Sequence, residues 1–282
     1  QTQQHDQEGH DSSWPEAGGR PLTPMILTVN GKALNILEPE PKGTETDPSL
    51  FFIHGAGGNG EIWEEQAAVF KGKHLAYRPD LPGHGGSGPL GEGRISAYAE
   101  AIRPSLEKLF PKKPFVLVGH SMGGAIVLEL SLNPPAGLKG IVVVGSGAKL
   151  AVTRAIFTML SENPEAFFQS IDQFAFSSTA PKTLRERFIH VTRQCPPSVI
   201  FNDFQACDHF DIRNRLPEIK IPTLVLCGEE DQLTPVKYSR YLHEHIAASR
   251  LVIIPQAGHM VMAEQPDLFN RAITSFLDTL GI

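Results

Sequence analysis

The sequence predicts a doubly wound α/β fold: a mostly parallel sheet of about eight strands, flanked by helices and interrupted by a helical insertion. Three observations lead there. Short apolar runs recur along the chain without polar alternation, helix-like segments separate most of them, and the rhythm breaks once, over residues 148–216. Unalternating apolar runs suit strands buried on both faces of a parallel sheet, and strand alternating with helix is the mark of βαβ construction.

In order, Met25–Val29 and Lys32–Leu37 flank Asn30-Gly31, a pair that supplies the positive φ of a two-residue hairpin, so the sheet opens antiparallel. Further strands are expected at Leu50–Ile53, Leu75–Tyr77 (the weakest), Phe115–Val118, Ile141–Val144, Thr223–Leu226 and Leu251–Ile254. Helical patterns occupy Ile62–Phe70, Ile95–Phe110, Met122–Leu132, Val236–Ile246 and Pro266–Leu280. The organisation that follows is a polar extension over 1–24, an α/β core in two parts, 25–147 and 217–282, and a helical cap over 148–216. The cap carries Ile156, Phe157, Met159, Leu160, Phe167, Phe168, Ile171, Phe174 and Phe176. Most such residues pack the cap itself. Some should roof a pocket, with Phe157, Leu160 and Phe174 as the candidates.

Composition narrows the function. With 282 residues, 41% of them hydrophobic and 20% charged, the chain can bury a large core, and a formal charge of −6 disfavours a nucleic-acid partner. A small-molecule partner is expected. Cys195, Cys207 and Cys227 form no C-x-x-C pair and no H-E-x-x-H occurs, so neither a metal site nor a disulfide framework is predicted. No apolar run approaches the ~20 residues that span a bilayer. Gln1–Gly19 is polar and lacks the apolar segment of a secretory signal, so a cytoplasmic protein is expected. Oligomeric state leaves no trace.

Gly55, Gly57 and Gly60 fit G-x-G-x-x-G, and Asp80 stands 20 positions beyond, where a dinucleotide site would place its ribose acid. Two arguments oppose that reading. Two strands precede the turn, and His54 stands where an apolar strand residue is usual. A third comes from chemistry later in the chain, for which a nicotinamide cofactor has no use.

That chemistry begins at Gly119-His120-Ser121-Met122-Gly123, which follows one strand and opens a helix: the strand–turn–helix setting of a G-x-S-x-G nucleophile elbow. Side chains at Gly119 and Gly123 would crowd so sharp a turn, which lifts the Ser121 hydroxyl off the sheet. The Met122 amide, at the positive end of a helix, is then free to donate to a developing oxyanion. A serine needs a base and a carboxylate to orient that base. Acids follow one late strand, in Gly228-Glu229-Glu230-Asp231, and a histidine follows the next, in Gly258-His259.

On these segments the chain resembles the α/β-hydrolase fold superfamily from Met25 to Ile282, with His54-Gly55 and Asp80-Leu81-Pro82-Gly83-His84-Gly85-Gly86-Ser87 as further matching pieces. The resemblance implies a Ser121-Asp231-His259 triad in that chain order, with Asp231 preferred to Glu229, Glu230, Asp203, Asp208 and Asp211. It maps the second oxyanion donor onto the Ala56 amide in preference to Gly57, and puts Gly55 and Gly57 against the substrate. Asp80 then anchors the Pro82–Ser87 loop, His54 braces the oxyanion turn, and the His120 side chain turns away to bond backbone. His243 and His245 lie on different faces of one helix and do not chelate.

The expected activity is that of a carboxylesterase acting on a small or medium acyl ester without a cofactor. Lactonase, thioesterase, perhydrolase, acyltransferase and carbon–carbon hydrolase remain open on the same triad. From another class, a non-catalytic receptor for a small ligand would use the same pocket.

Overall fold

The computed structural model describes residues 24–29, 31–37, 48–89 and 93–281. The polar extension expected before Pro24 and the hairpin residue Asn30 lie outside the described residues.

Strands β1 (Pro24–Val29) and β2 (Lys32–Leu37) pair antiparallel, and Gly31 in the turn between them has φ +74°. After them come β3 (Ser49–Ile53), α1 (Glu64–Phe70), β4 (Ala76–Pro79), α2 (Ile95–Leu109), β5 (Phe115–His120), α3 (Met122–Leu132) and β6 (Leu138–Val144). Four α-helices, α4 (Arg154–Glu162), α5 (Pro164–Phe174), α6 (Lys182–Gln194) and α7 (Pro197–Asp208), and a 3-10 helix at Arg213–Glu218 then separate β6 from the next strand. The chain returns to the sheet with β7 (Thr223–Gly228), α8 (Val236–His245), β8 (Ser249–Ile254), α9 (Val261–Glu264) and α10 (Pro266–Thr279). The eight strands form one sheet in the order β1-β2-β4-β3-β5-β6-β7-β8, parallel from β4 to β8.

Both faces of the sheet are covered, which is why its strands read as unbroken apolar runs. Phe51 and Ile53 face one core with Leu117, Ile141 and Val143, beneath α2, α3 and α8. Leu50 and Phe52 face the other with Val116, Val118 and Val142, beneath α1 and α10. Each alternate side chain thus leaves water on its own side, for roughly 1.5–3 kcal/mol apiece. Helix α3 is buried on every side from Met122 to Leu128, so it shows no amphipathic stripe. The inserted helices keep a smaller core of their own around Leu160, Phe167, Phe168, Cys195 and Ile200.

Strand order fixes where a site can form. The chain leaves β3 towards β4 on one side and reaches β5 on the other, so β3 and β5 bound a topological switch point. In an open α/β sheet a crevice forms there, beyond the carboxyl ends of the strands. Ile53 pairs with Gly119, so the turn after β3 and the turn after β5 emerge side by side.

Candidate active site

Ser121 sits at that switch point with φ +54° and ψ −116°, a conformation a non-glycine residue adopts only under strain of order 1–3 kcal/mol. The close-packed backbone imposes it. A side chain at Gly123 would collide with the carbonyls of Ile53 and His54, so the helix can start this near β3 only with glycine there. The Met122 amide is the first of α3, where helical geometry provides no intrahelical acceptor. A Cβ at Gly55 would stand 3.0 Å from Ser121 Cβ, so the turn after β3 borders the serine directly.

That turn runs Gly55-Ala56-Gly57-Gly58. Its Gly58 N–H returns to the Gly55 carbonyl at 3.2 Å and Gly57 has φ +66°, the pattern of a type II turn, which needs glycine at its third position. The Gly57 N–H donates to Asp203 Oδ2 at 2.9 Å. It is already occupied, so Ala56 is the candidate donor on this turn. His54 Nε2 accepts from the Leu81 N–H at 2.9 Å, which leaves its Nδ1–H to donate to the Gly55 carbonyl at 2.8 Å. Burial, then the charge on His84, push His54 down to about 3, so this brace stays neutral.

Asp231 follows β7 and His259 follows β8, adjacent strands in the sheet. His259 Nδ1 lies 2.9 Å from Asp231 Oδ2, with the carboxylate side chain fully buried. The same Oδ2 accepts from Thr234 Oγ1 at 2.8 Å, while Oδ1 accepts the amides of Leu233 and Thr234 at 2.9 and 2.8 Å. Burial alone would raise the Asp231 carboxyl, but His259 and these donors outweigh it and hold the group below its ordinary range. With Nδ1 engaged, Nε2 is the His259 nitrogen available to a reacting group. The His259 loop is itself pinned: Glu264 accepts from the amides of Gly258 and Ser177 at 3.0 and 2.8 Å.

A cavity of about 450 Å³ opens at the crevice, bordered by Gly55, Ala56, Ser121 and His259 from the sheet side and by Met159 and Phe174 from the inserted helices. Among the described residues, no Asp, Glu, Lys or Arg lines it. Ser121 and the His259 imidazole therefore share a wall free of charged side chains with the apolar residues of the inserted helices.

Of the residues expected against substrate, Gly55 and Phe174 border the cavity, whereas Gly57, Phe157 and Leu160 do not. Helical phase explains two of these placements. On α4, Ile156 and Met159 share the cavity face, while Phe157 and Leu160 turn one position further. Phe157 meets Phe201 of α7 edge-on at 5.1 Å, and Leu160 joins the core of the insertion. Gly57 packs instead against Thr192 and Ile200 of α6 and α7.

Asp80 accepts from the amides of Gly60 and Gly86 at 2.9 and 3.0 Å and from Asn35 Nδ2 at 2.8 Å, so its carboxylate joins two loops to β2. His120 bonds the His259 carbonyl through Nε2 at 3.0 Å, and burial followed by repulsion from His259 pushes it down to about 3. His243 bonds Ser249, and His245 stacks on Tyr241. No group of three or more His, Cys, Asp or Glu among the described residues is arranged to hold a metal ion. Cys195, Cys207 and Cys227 are buried free thiols, and no described helix is long and apolar enough to cross a membrane.

Sequence reasoning missed the weight carried by Asp203. It is wholly buried and accepts from Gly57 N–H, from His84 Nε2 at 2.8 Å and from the Tyr98 hydroxyl. Its three donors lie more than 100 positions away in sequence, so no local pattern marks it.

Residues 50–272 match the model of the alpha/beta hydrolase family. A 3-oxoadipate enol-lactonase of Acinetobacter baylyi is 29% identical, over 89% of this chain and 95% of its own. A pimeloyl-[acyl-carrier protein] methyl ester esterase of Vibrio vulnificus is 27% identical, over 81% of this chain and 94% of its own. Among solved structures, a thermophilic esterase is 34% identical and superposes with a TM-score of 0.81, over 92% of this chain and 98% of its own.

Proposed function

The chain belongs to the alpha/beta hydrolase family, and from that premise we propose that it is a serine esterase cleaving uncharged carboxylic esters of small or medium acyl chain through an acyl-enzyme. One observation carries the reading: the Asp231–His259 contact of 2.9 Å opens onto the same cavity as a serine held at φ +54°.

In this mechanism Ser121 Oγ attacks the ester carbonyl while His259 Nε2 takes its proton. Asp231 holds the imidazole tautomer and stabilises the imidazolium. The Met122 and Ala56 amides receive the negative oxygen of the tetrahedral intermediate, and each is worth about 3–4 kcal/mol to the transition state. His259 then returns its proton to the departing alkoxide. Water, deprotonated by the same nitrogen, releases the acid.

Substrate class follows from the wall. A free carboxylate or ammonium would enter a chamber without a countercharge, at a cost of several kcal/mol. The enol-lactonase relative supports a second reading, lactone hydrolysis, in which the leaving alcohol stays tethered to the acyl group.

Turnover of 4-nitrophenyl butyrate by the wild type, with loss in Ser121→Ala, tests the mechanism. Equal turnover by both proteins removes it and returns the cavity to a ligand-binding role. Uncharged esters set against lactones and ω-carboxylated esters then fix the substrate class; preference for the carboxylated series overturns the neutral assignment.

A further inference from the structure

Gly57 is the residue next to the candidate donor Ala56, and its amide is held from outside the sheet. Asp203 Oδ2 accepts that amide from α7, an inserted helix, at 2.9 Å. The other bonds of the carboxylate go to separate parts of the core: His84 in the loop after β4 and Tyr98 on α2. His84 has no freedom either. Its Nε2 faces Asp203 Oδ2 at 2.8 Å and its Nδ1 faces the Pro82 carbonyl at 3.2 Å, so both nitrogens meet oxygen acceptors, the arrangement of an imidazolium. A buried carboxylate is thereby neutralised and still has lone pairs for the turn. The glycine face of that turn rests on the insertion as well, since a Cβ at Gly57 would touch Thr192 Cγ2 at 3.0 Å and Ile200 Cγ1 at 3.2 Å.

In a four-residue turn the central peptide can lie in either of two orientations, and these distinguish type I from type II. Here the central peptide joins Ala56 to Gly57. Its flip would swing the Ala56 carbonyl towards Asp203, oxygen against oxygen, so the carboxylate admits only the orientation observed.

We propose that Asp203 is a positioning residue, which locks the Ala56–Gly57 peptide from α7 and so keeps the oxyanion turn formed only while the inserted helices are seated. The proposal rests on the acyl-transfer reading of the Ser121 site. Asp203 touches no reacting atom; it acts through the turn.

The test compares wild type, Asp203→Ala and Asp203→Asn with 4-nitrophenyl butyrate as substrate and two probes: butylboronic acid, which becomes tetrahedral on the serine, and hexanamide, which remains planar. Losing an oxyanion donor outright costs about 10²–10³ in kcat, and a displaced donor should cost less. Asp203→Ala is expected to lower kcat by about 10–100-fold and to weaken butylboronic acid by the same factor, with hexanamide affinity kept within about threefold. Asp203→Asn keeps a neutral, weaker acceptor and should lose about 3–10-fold on both of the first two measures. Asp203→Ala with kcat within about twofold of wild type overturns the proposal, as does an equal loss of both probes. Should the alanine variant not fold, Asp203→Asn decides on the same ratio: boronate lost and amide kept supports the lock, any other pattern overturns it. Wild type that binds boronic acid no better than hexanamide, or that matches Ser121→Ala in turnover, removes the acyl-transfer reading itself; wild type that passes both while the Asp203 variants equal it removes the lock alone.

Discussion

Among the described residues two buried aspartate–histidine pairs stand out, and they are closely alike as chemistry. Asp231 and His259 meet at 2.9 Å, Asp203 and His84 at 2.8 Å, and each carboxylate also accepts a hydroxyl and at least one backbone amide. The difference lies in the second ring nitrogen. His84 presents it to the Pro82 carbonyl, which demands a proton there, whereas His259 keeps it for the cavity. The Asp203–His84 pair is a fixed ion pair joining inserted helices to core. The His259 pair leaves one ring nitrogen open to the cavity, as the proposed base requires. What an imidazole can do is set less by its acidic partner than by what faces the nitrogen that partner leaves free.

The sharpest contrast comes from removing the two carboxylates' charge or their partners. Asp231→Asn should leave folding near wild type and lower kcat by about 10⁴-fold, because the amide favours the wrong imidazole tautomer. Ester turnover beside a thermal melt checks both halves. Next in size, His84→Leu strips the other carboxylate of its countercharge and should cost about 3–5 kcal/mol of stability in urea unfolding, the usual toll of breaking a buried pair. An Asp231 variant that melts early, or a His84 variant as stable as wild type, would break the distinction.

The two pairs were not equally legible. Ser121, Asp231 and His259 stand directly after apolar strands, each in a short motif, and the chain order of those motifs is itself informative. Strand runs such as Phe115–Val118 were readable because burial on both faces removes the ambiguity of alternation. Asp203 follows no strand; it lies within a helix whose other buried members, Ile200, Ala206 and Cys207, are apolar or nearly so. Only the fold brings His84, Tyr98 and Gly57 to it. The face of α4 that borders the cavity was hidden for a related reason, since a period of 3.6 gives neighbouring stripes of apolar residues without saying which one meets the roof.

pH separates the ion pair from the neutral histidines. Burial works against charge on His84, but the field of Asp203, the hydrogen bond to it and a smaller contribution from Cys195 prevail, and the imidazole is pushed up to about 10. His54, packed 4.9 Å away, faces it without charge. A folded pKa above the unfolded value near 6.5 adds stability that is complete below pH ~6.5 and disappears as pH rises through about 10. His54 and His120, both pushed down to about 3, act oppositely: the unfolded chain takes up protons they refuse, so stability falls as pH drops from ~6.5 towards 3. Urea midpoints should therefore peak close to pH 6.5 and decline on both sides. In His84→Leu the alkaline decline should flatten while the acid one stays; an unchanged alkaline limb would deny the pair its charge.

The smallest effect belongs to the hydroxyls, and it asks whether the carboxylates differ in kind or only in company. Thr234 Oγ1 donates to Asp231 Oδ2 at 2.8 Å and lies 3.2 Å from His259 Nδ1, so it shares the oxygen on which the imidazole proton rests. Thr234→Val keeps the shape and removes that bond, at about 1–2 kcal/mol. The Thr234 backbone amide still holds Oδ1, so the carboxylate stays in place and the loss should fall on how well it serves His259. The expectation is a kcat lower by about tenfold, KM little changed, and a melt within about 2 °C of wild type. Tyr98→Phe makes the matching deletion at Asp203, and there the expected order reverses: the melt falls first, because that carboxylate's task is to hold parts of the molecule together. Equal responses at the two sites would mean that the free nitrogen of His259 matters less than its setting suggests.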